Sequence, residues 1–157
     1  MSPVADLEAI EAIKRVKYRY LRALDTKHWD DFAETLTEDI VGDYGSSLGK
    51  ELHFTNRAEL VEFMRNAMPA GVLTEHRVSH PEITLIDTDE AEGRWYLQDR
   101  VIVPEHKFML FGAAFYLDRY RKTSDGWKIC GTGYQRTYEV AQPLDANAKV
   151  TAGPALA

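Results

Sequence analysis

The sequence predicts an α+β domain: helices come first, then a meander of long antiparallel strands, with the helices packed on one face of a curved sheet. Three observations predict it. Apolar residues keep helical spacing near the N-terminus and again around residue 60. From Leu73 onward, apolar and polar residues alternate over runs long enough for strands. Between those runs lie Asp87-Thr88-Asp89 and Ser124-Asp125-Gly126, clusters of the kind that turn a chain.

Ser2 and Pro3 suit the N-cap and first turn of a helix over about residues 4–25. Its apolar stripe is Leu7, Ile10, Ile13, Tyr20 and Leu24, so Tyr20 points at the core and Asp25 sits at the edge of the buried face. A short helix follows from about Trp29 to Leu36, with Asp30 and Asp31 matching its N-terminal dipole. Residues 39–44 and 51–54 read as short strands around a flexible link from Gly45 to Gly49. Asn56 caps a third helix that buries Leu60, Val61, Phe63, Met64 and Met68.

A strand from Thr74 to Ile86 is interrupted by Pro81. The next, Glu90 to Val103, carries Ala91, Gly93, Trp95, Leu97 and Asp99 on one face. Phe108–Arg121 and Trp127–Val140 form the last two strands, joined at Ser124-Asp125-Gly126. Residues 1–140 therefore read as one domain, and 141–157, rich in Ala and Pro, as an extended or disordered tail.

Composition excludes several classes. The 157 residues carry a net charge of −6 and no basic run, which argues against a nucleic-acid surface. There is no apolar stretch of membrane-spanning length and no signal-peptide pattern. The single cysteine, Cys130, cannot form an internal disulfide, so the cytoplasm is the expected location. The five histidines show neither HxH nor HExxH spacing, so no metal is expected. P-loop, G-x-G-x-x-G and G-x-S-x-G patterns are all missing.

What remains is a constellation. Asp99 continues a buried face, where a carboxylate needs a partner. His76 lies on the neighbouring strand, and Arg136 is the only cation in Tyr134–Tyr138. A pocket between helices and sheet could gather Tyr20, Asp25, His76 and Asp99, with Arg136 at its rim. A histidine held in one tautomer by a carboxylate is suited to taking a proton from carbon, and a tyrosine hydroxyl can assist a departing oxygen. Each residue also has a structural reading. His76 could be a hydrogen-bonded core histidine, Asp25 a helix end, Tyr20 plain core, and Asp99 a partner for Arg100 or Arg77. Trp95, Leu24, Phe54, Phe111, Tyr116 and His106 are the candidate pocket lining, which favours an apolar or ring-containing ligand.

Several runs carry a resemblance to a known family. They are Tyr20-x4-Asp25-x3-Trp29-Asp30-x-Phe32, Thr74-Glu75-His76-Arg77-Val78, Ala91-Glu92-Gly93-Arg94-Trp95-Tyr96, and Tyr120-Arg121-Lys122 followed by Asp125-Gly126-Trp127. Over residues 5–140 the chain resembles the SnoaL-like proteins of the nuclear transport factor 2-like superfamily. The resemblance implies a cone: a strongly curved mixed sheet wrapped around N-terminal helices. Within the superfamily, the pattern is similar to the bile acid 7α-dehydratase, scytalone dehydratase and hexachlorocyclohexane dehydrochlorinase group. That similarity implies His76 as base, Asp25 as its dyad carboxylate, Tyr20 as catalytic tyrosine, Asp99 as a second carboxylate beside the histidine, and Arg136 as the last-strand arginine. His106 is the candidate for the scytalone enzyme's second histidine. The expected activity is a cofactor-independent elimination or isomerisation of a small hydrophobic, cyclic molecule by a homotrimer or homodimer. The superfamily also holds non-catalytic binding and assembly modules, including dioxygenase β subunits.

Overall fold

The computed structural model describes residues 2–47 and 50–155. Three helices precede or interrupt the sheet: α1 (Pro3–Thr26), α2 (Trp29–Glu34) and α3 (Arg57–Ala67). The strands are β1 (Leu36–Ser47), β2 (Lys50–Phe54), β3 (Leu73–Leu85), β4 (Glu90–Val103), β5 (Phe108–Thr123) and β6 (Gly126–Pro143). They form one mixed sheet in the order β2-β1-β6-β5-β4-β3. β1 runs parallel to β6, and every other pair is antiparallel.

Local chemistry sets the element ends. Ser2 Oγ accepts from the Ala5 N–H at 3.3 Å, and Pro3 occupies the first helical position of α1. Lys27 ends that helix in the left-handed region, φ 62°. Asn56 Oδ1 accepts from Glu59 N at 2.9 Å and starts α3, whose Leu60, Val61 and Met64 are buried. The buried face of α1 is Ile13, Lys17, Tyr20, Leu21, Ala23 and Leu24. Leu7, expected on that stripe, is 67% exposed, as is Val4 at 65%, so the apolar face of α1 is not covered at those two positions.

Other differences follow from strand pairing. α2 stops at Glu34 because Leu36, fully buried, already enters β1. The expected link at 45–49 begins as strand: β1 continues through Ser47, with Gly45 at φ +65° and a register shift against β2 between Asp43 and Ser46. Leu48 and Gly49 of that link lie outside the described residues. Pro81 does not interrupt β3. Its missing N–H is absorbed in a bulge between Ser79 and Glu82, where His80 takes φ +50°. In β4 the buried positions alternate without a break through Asp99. β6 extends three residues beyond Val140, and the Leu144 N–H then donates to Lys107 O at 2.8 Å. The segment 144–155 contains no helix or strand, and its Val150 and Ala152 line a cleft with Pro69–Leu73 and Val103–Glu105.

The core lies between the helices and the inner face of the sheet. Ile13, Phe32, Leu36, Ile40, Leu60, Trp95 and Ile129 are all fully buried there. Gly133 allows β1 and β6 to approach: a Cβ at this position would fall 1.8 Å from Asp43 O.

Candidate functional site

The last turn of α1 carries Asp25 to the edge of the sheet, where the first residues of β3 present Thr74 and His76. Three donors converge on the Asp25 carboxylate. His76 Nδ1 lies 2.7 Å from Oδ1, Thr74 Oγ1 donates to the same oxygen at 2.8 Å, and the His76 backbone N–H donates to Oδ2 at 2.8 Å. A carboxylate can only accept in such contacts, so Nδ1 carries the imidazole proton and Nε2 is the basic nitrogen. Lys27 Nζ donates to Thr74 Oγ1 at 2.9 Å, orienting the hydroxyl toward Asp25. Burial pulls the Lys27 ammonium below its usual range, opposed by the Asp25 charge. The side chains of Asp25 and His76 are 22% and 11% exposed, so the pair is screened but not sealed.

Asp99 faces His76 directly across the β3–β4 pair, as the alternation predicts. Its carboxylate is turned to Arg136, in a two-pronged contact with Nη1–Oδ1 at 2.5 Å and Nη2–Oδ2 at 2.6 Å. The two carboxylates thus divide the work: Asp25 holds the histidine, and Asp99, beside it in the register, holds the arginine. Gly112 of β5, which lies between Asp99 and β6, makes the crossing possible. A Cβ there would meet Tyr138 O at 2.5 Å and Arg136 Nη1 at 3.2 Å. Arg136 also lies 3.3 Å from Glu139 through Nε and stacks over Tyr134 at 4.9 Å. Burial lowers its proton affinity, but the Asp99 hydrogen bonds and charge outweigh that, so the guanidinium stays charged.

Tyr20 is fully buried, five residues before Asp25 on α1, and its hydroxyl lies 3.1 Å from Tyr44 Oη. Burial pushes its phenol well above the ordinary range. Tyr116 and Tyr134 complete a tyrosine cluster with it, through an edge contact at 6.4 Å from Tyr20 to Tyr116 and a 5.4 Å contact from Tyr44 to Tyr134. Among the described residues, the Tyr20 hydroxyl bonds this cluster and not the His76–Asp25 pair.

The expected lining divides. Trp95, Leu24 and Tyr116 are at most 2% exposed and pack as core on the inner face. Phe54 joins that side through Tyr44 and Phe63. Phe111 does not: it pairs with the exposed Arg100, one residue out of phase with Asp99 and Gly112, and so takes the outer face. His106 is exposed in the 3₁₀ turn Pro104–His106, and among the described residues it makes no hydrogen bond to His76 or Asp25.

Sequence reasoning missed a second polar group below the tyrosines. Lys17 Nζ lies 2.7 Å from Asp118 Oδ2, with both side chains fully buried. Tyr120 Oη donates to Asp118 Oδ2 at 2.8 Å and Thr132 Oγ1 to Oδ1 at 2.7 Å, while Trp95 Nε1 donates to Tyr120 at 2.9 Å. The signal was legible. Lys17 falls at the helical spacing between Ile13 and Tyr20, and Asp118 continues the alternation of Tyr116 and Tyr120.

Among the described residues, no three His, Cys, Asp or Glu side chains cluster as metal ligands, and no helix is long and apolar enough to cross a membrane.

A curved mixed sheet packed on N-terminal helices is the nuclear transport factor 2-like fold. Residues 5–132 match the SnoaL-like domain, and the chain belongs to that family. Solved structures bear out the fold. A scytalone dehydratase candidate from Novosphingobium aromaticivorans is 19% identical with TM-score 0.80, over 94% of this chain and 100% of that one. A type 3 hexachlorocyclohexane dehydrochlorinase from Novosphingobium barchaimii is 16% identical with TM-score 0.78, over 96% and 100% of the two chains. The β subunit of benzoate 1,2-dioxygenase from Burkholderia mallei is 20% identical with TM-score 0.66, over 80% and 88%.

Proposed function

We propose that this protein is a cofactor-independent lyase or isomerase acting on a small hydrophobic, cyclic molecule. The contact that carries the reading is Asp25 Oδ1 to His76 Nδ1 at 2.7 Å, supported by the second carboxylate oxygen on the His76 backbone N–H. Locked in this way, the imidazole has its unprotonated Nε2 ready to take a proton from carbon. The resulting imidazolium is stabilised by the Asp25 charge. The electron pair left on carbon forms the new double bond as the leaving group departs. Tyr20 supplies the proton that the leaving oxygen needs, and Arg136, held by Asp99, stabilises the charge that builds there. The names of the dehydratase and dehydrochlorinase relatives support eliminations as the reaction class. We place the active form as a homotrimer or homodimer.

Incubation with cyclic hydroxy- and halo-substrates in deuterium oxide tests the reading. Turnover or exchange of one carbon-bound hydrogen is expected, and its loss in His76→Ala. A library that yields neither turnover nor exchange, on a protein shown to be folded, would sink it.

A second reading is a non-catalytic binding or assembly module. The close packing of Leu24, Trp95 and Tyr116 favours it, as does the tie that Asp25 makes between α1 and β3. In that case His76→Ala loses stability and leaves ligand binding unchanged. Co-purification with an iron-containing large subunit would support the dioxygenase-like variant of this reading.

A further inference from the structure

Lys27 is held at two costs that a glycine in its place would avoid. It ends α1 in the left-handed region at φ 62°, where glycine is the unstrained choice. Its half-buried ammonium is also partly stripped of water, which lowers its proton affinity against the opposing pull of the Asp25 charge. Among the described residues the side chain makes one hydrogen bond, from Nζ to Thr74 Oγ1 at 2.9 Å. An ammonium can only donate, so the Thr74 hydroxyl proton is committed to Asp25 Oδ1 at 2.8 Å, the same oxygen that holds His76 Nδ1. Lys27 therefore stands one hydroxyl away from the carboxylate of the dyad. The other charged and titratable groups around the imidazole have partners of their own. Asp99, across on β4, holds Arg136 of β6, which also meets Glu139. On β3 itself, Glu75 and Arg77 pair at 3.5 Å. His28, before α2, is bonded to Thr26. Lys27 is the cation left to face Asp25.

We propose that Lys27 is a positioning residue of the dyad: with Thr74 it draws the Asp25 charge partly away from His76, so that the imidazole rests neutral, as a base must. A carboxylate alone beside a histidine favours the imidazolium, which has no lone pair left to take a proton from carbon. The Lys27 charge makes that second cation less favourable and leaves the Nδ1 hydrogen bond in place. For its use the proposal rests on the reading of His76 as a base. Its test needs no substrate.

The experiment follows the His76 ring by long-range ¹H–¹⁵N correlation NMR across neutral pH in the full chain. It reads the midpoint at which the imidazole takes up its second proton. Lys27→Met keeps the bulk and removes the charge. It should raise that midpoint by about half to one pH unit, the scale for a unit charge beside a partly exposed site. Lys27→Arg keeps both the charge and a donor for Thr74, and should leave the midpoint near its native value. Where Lys27→Met does not fold, Lys27→Gly carries the same test: it relieves the left-handed backbone, and its midpoint should rise as well. A lysine that serves only packing or the helix end would lower Tm on substitution by Met and leave the midpoint where it is. The proposal is overturned if the midpoint of Lys27→Met, or of Lys27→Gly in its stead, is unmoved or lowered. It is overturned equally if Lys27→Arg raises the midpoint as far as the uncharged variant does. Failure of these arms leaves elimination by His76 and Asp25 open, whereas failure of the deuterium experiment leaves the His76 titration intact.

Discussion

Asp25→Asn isolates what the carboxylate does for His76. The side chain keeps its shape and loses one acceptor. Three donors point at Asp25, two at Oδ1 and one, the His76 backbone N–H, at Oδ2. A backbone N–H cannot reverse, so the asparagine oxygen must serve it and the amide nitrogen must take the place of Oδ1. There it faces the Thr74 hydroxyl, which can rotate, and Nδ1–H, which cannot coexist with a second donor. The imidazole is expected to move its proton to Nε2 and accept at Nδ1. Exchanging charge-assisted bonds for neutral ones costs about 2 kcal/mol. For a domain of this size that lowers Tm by roughly 4–8 °C. If His76 is the proposed base, holding its imidazole in the wrong tautomer costs on the order of 10⁴ in rate. Long-range ¹H–¹⁵N correlation spectra of the His76 ring report the tautomer directly, and calorimetry reports the stability. A proton that stays on Nδ1 in Asp25→Asn, with Tm unchanged, would show that Asp25 does not set the His76 tautomer.

Further predictions test the rest of the site and fold. Arg136→Met leaves the Asp99 carboxylate buried without a counter-charge and should cost about 3–5 kcal/mol, read from urea midpoints, with Asp99→Asn in the same chain recovering much of it. Buried Tyr20, Tyr44, Tyr116 and Tyr120 and half-buried Tyr134 all have phenols pushed above their ordinary value of 10.0, chiefly by burial. Above pH 10 the unfolded chain therefore loses protons that the native state keeps, so stability is full below that pH and falls as pH rises. Urea melts between pH 8 and 11 should show the decline beginning near 10. Gly133→Ala drives a Cβ into Asp43 O at 1.8 Å and should cost about 3 kcal/mol or more, or prevent folding. Gly71→Ala, with open space at its Cβ, should change stability by less than about 0.5 kcal/mol, and circular dichroism melts separate the two.

Sequence alone determined the parts of this protein that depend on local periodicity. The helix Pro3–Thr26, the strand Glu90–Val103 and the turn at Asp125-Gly126 are each written in spacing and cap chemistry, because near neighbours along the chain decide them. Alternation also carried Asp99 to the inner face opposite His76. The same parity sets Phe111 on the outer face, where its aromatic character alone would suggest the inner one. Lys17 shares the helical spacing of the stripe, but its charge hides that position among the apolar residues that mark the buried face. Tertiary structure alone decided which partner each buried charge takes. Asp99 turns to Arg136 because Gly112 leaves a gap in β5 through which the guanidinium crosses, and because the histidine is already held by Asp25. The bulge at Ser79–Glu82, the parallel pairing of β1 with β6, and the Lys17–Asp118 pair share that character. Each depends on residues distant in sequence meeting at one place, where the cost of leaving a polar group unpaired chooses among partners that spacing cannot distinguish.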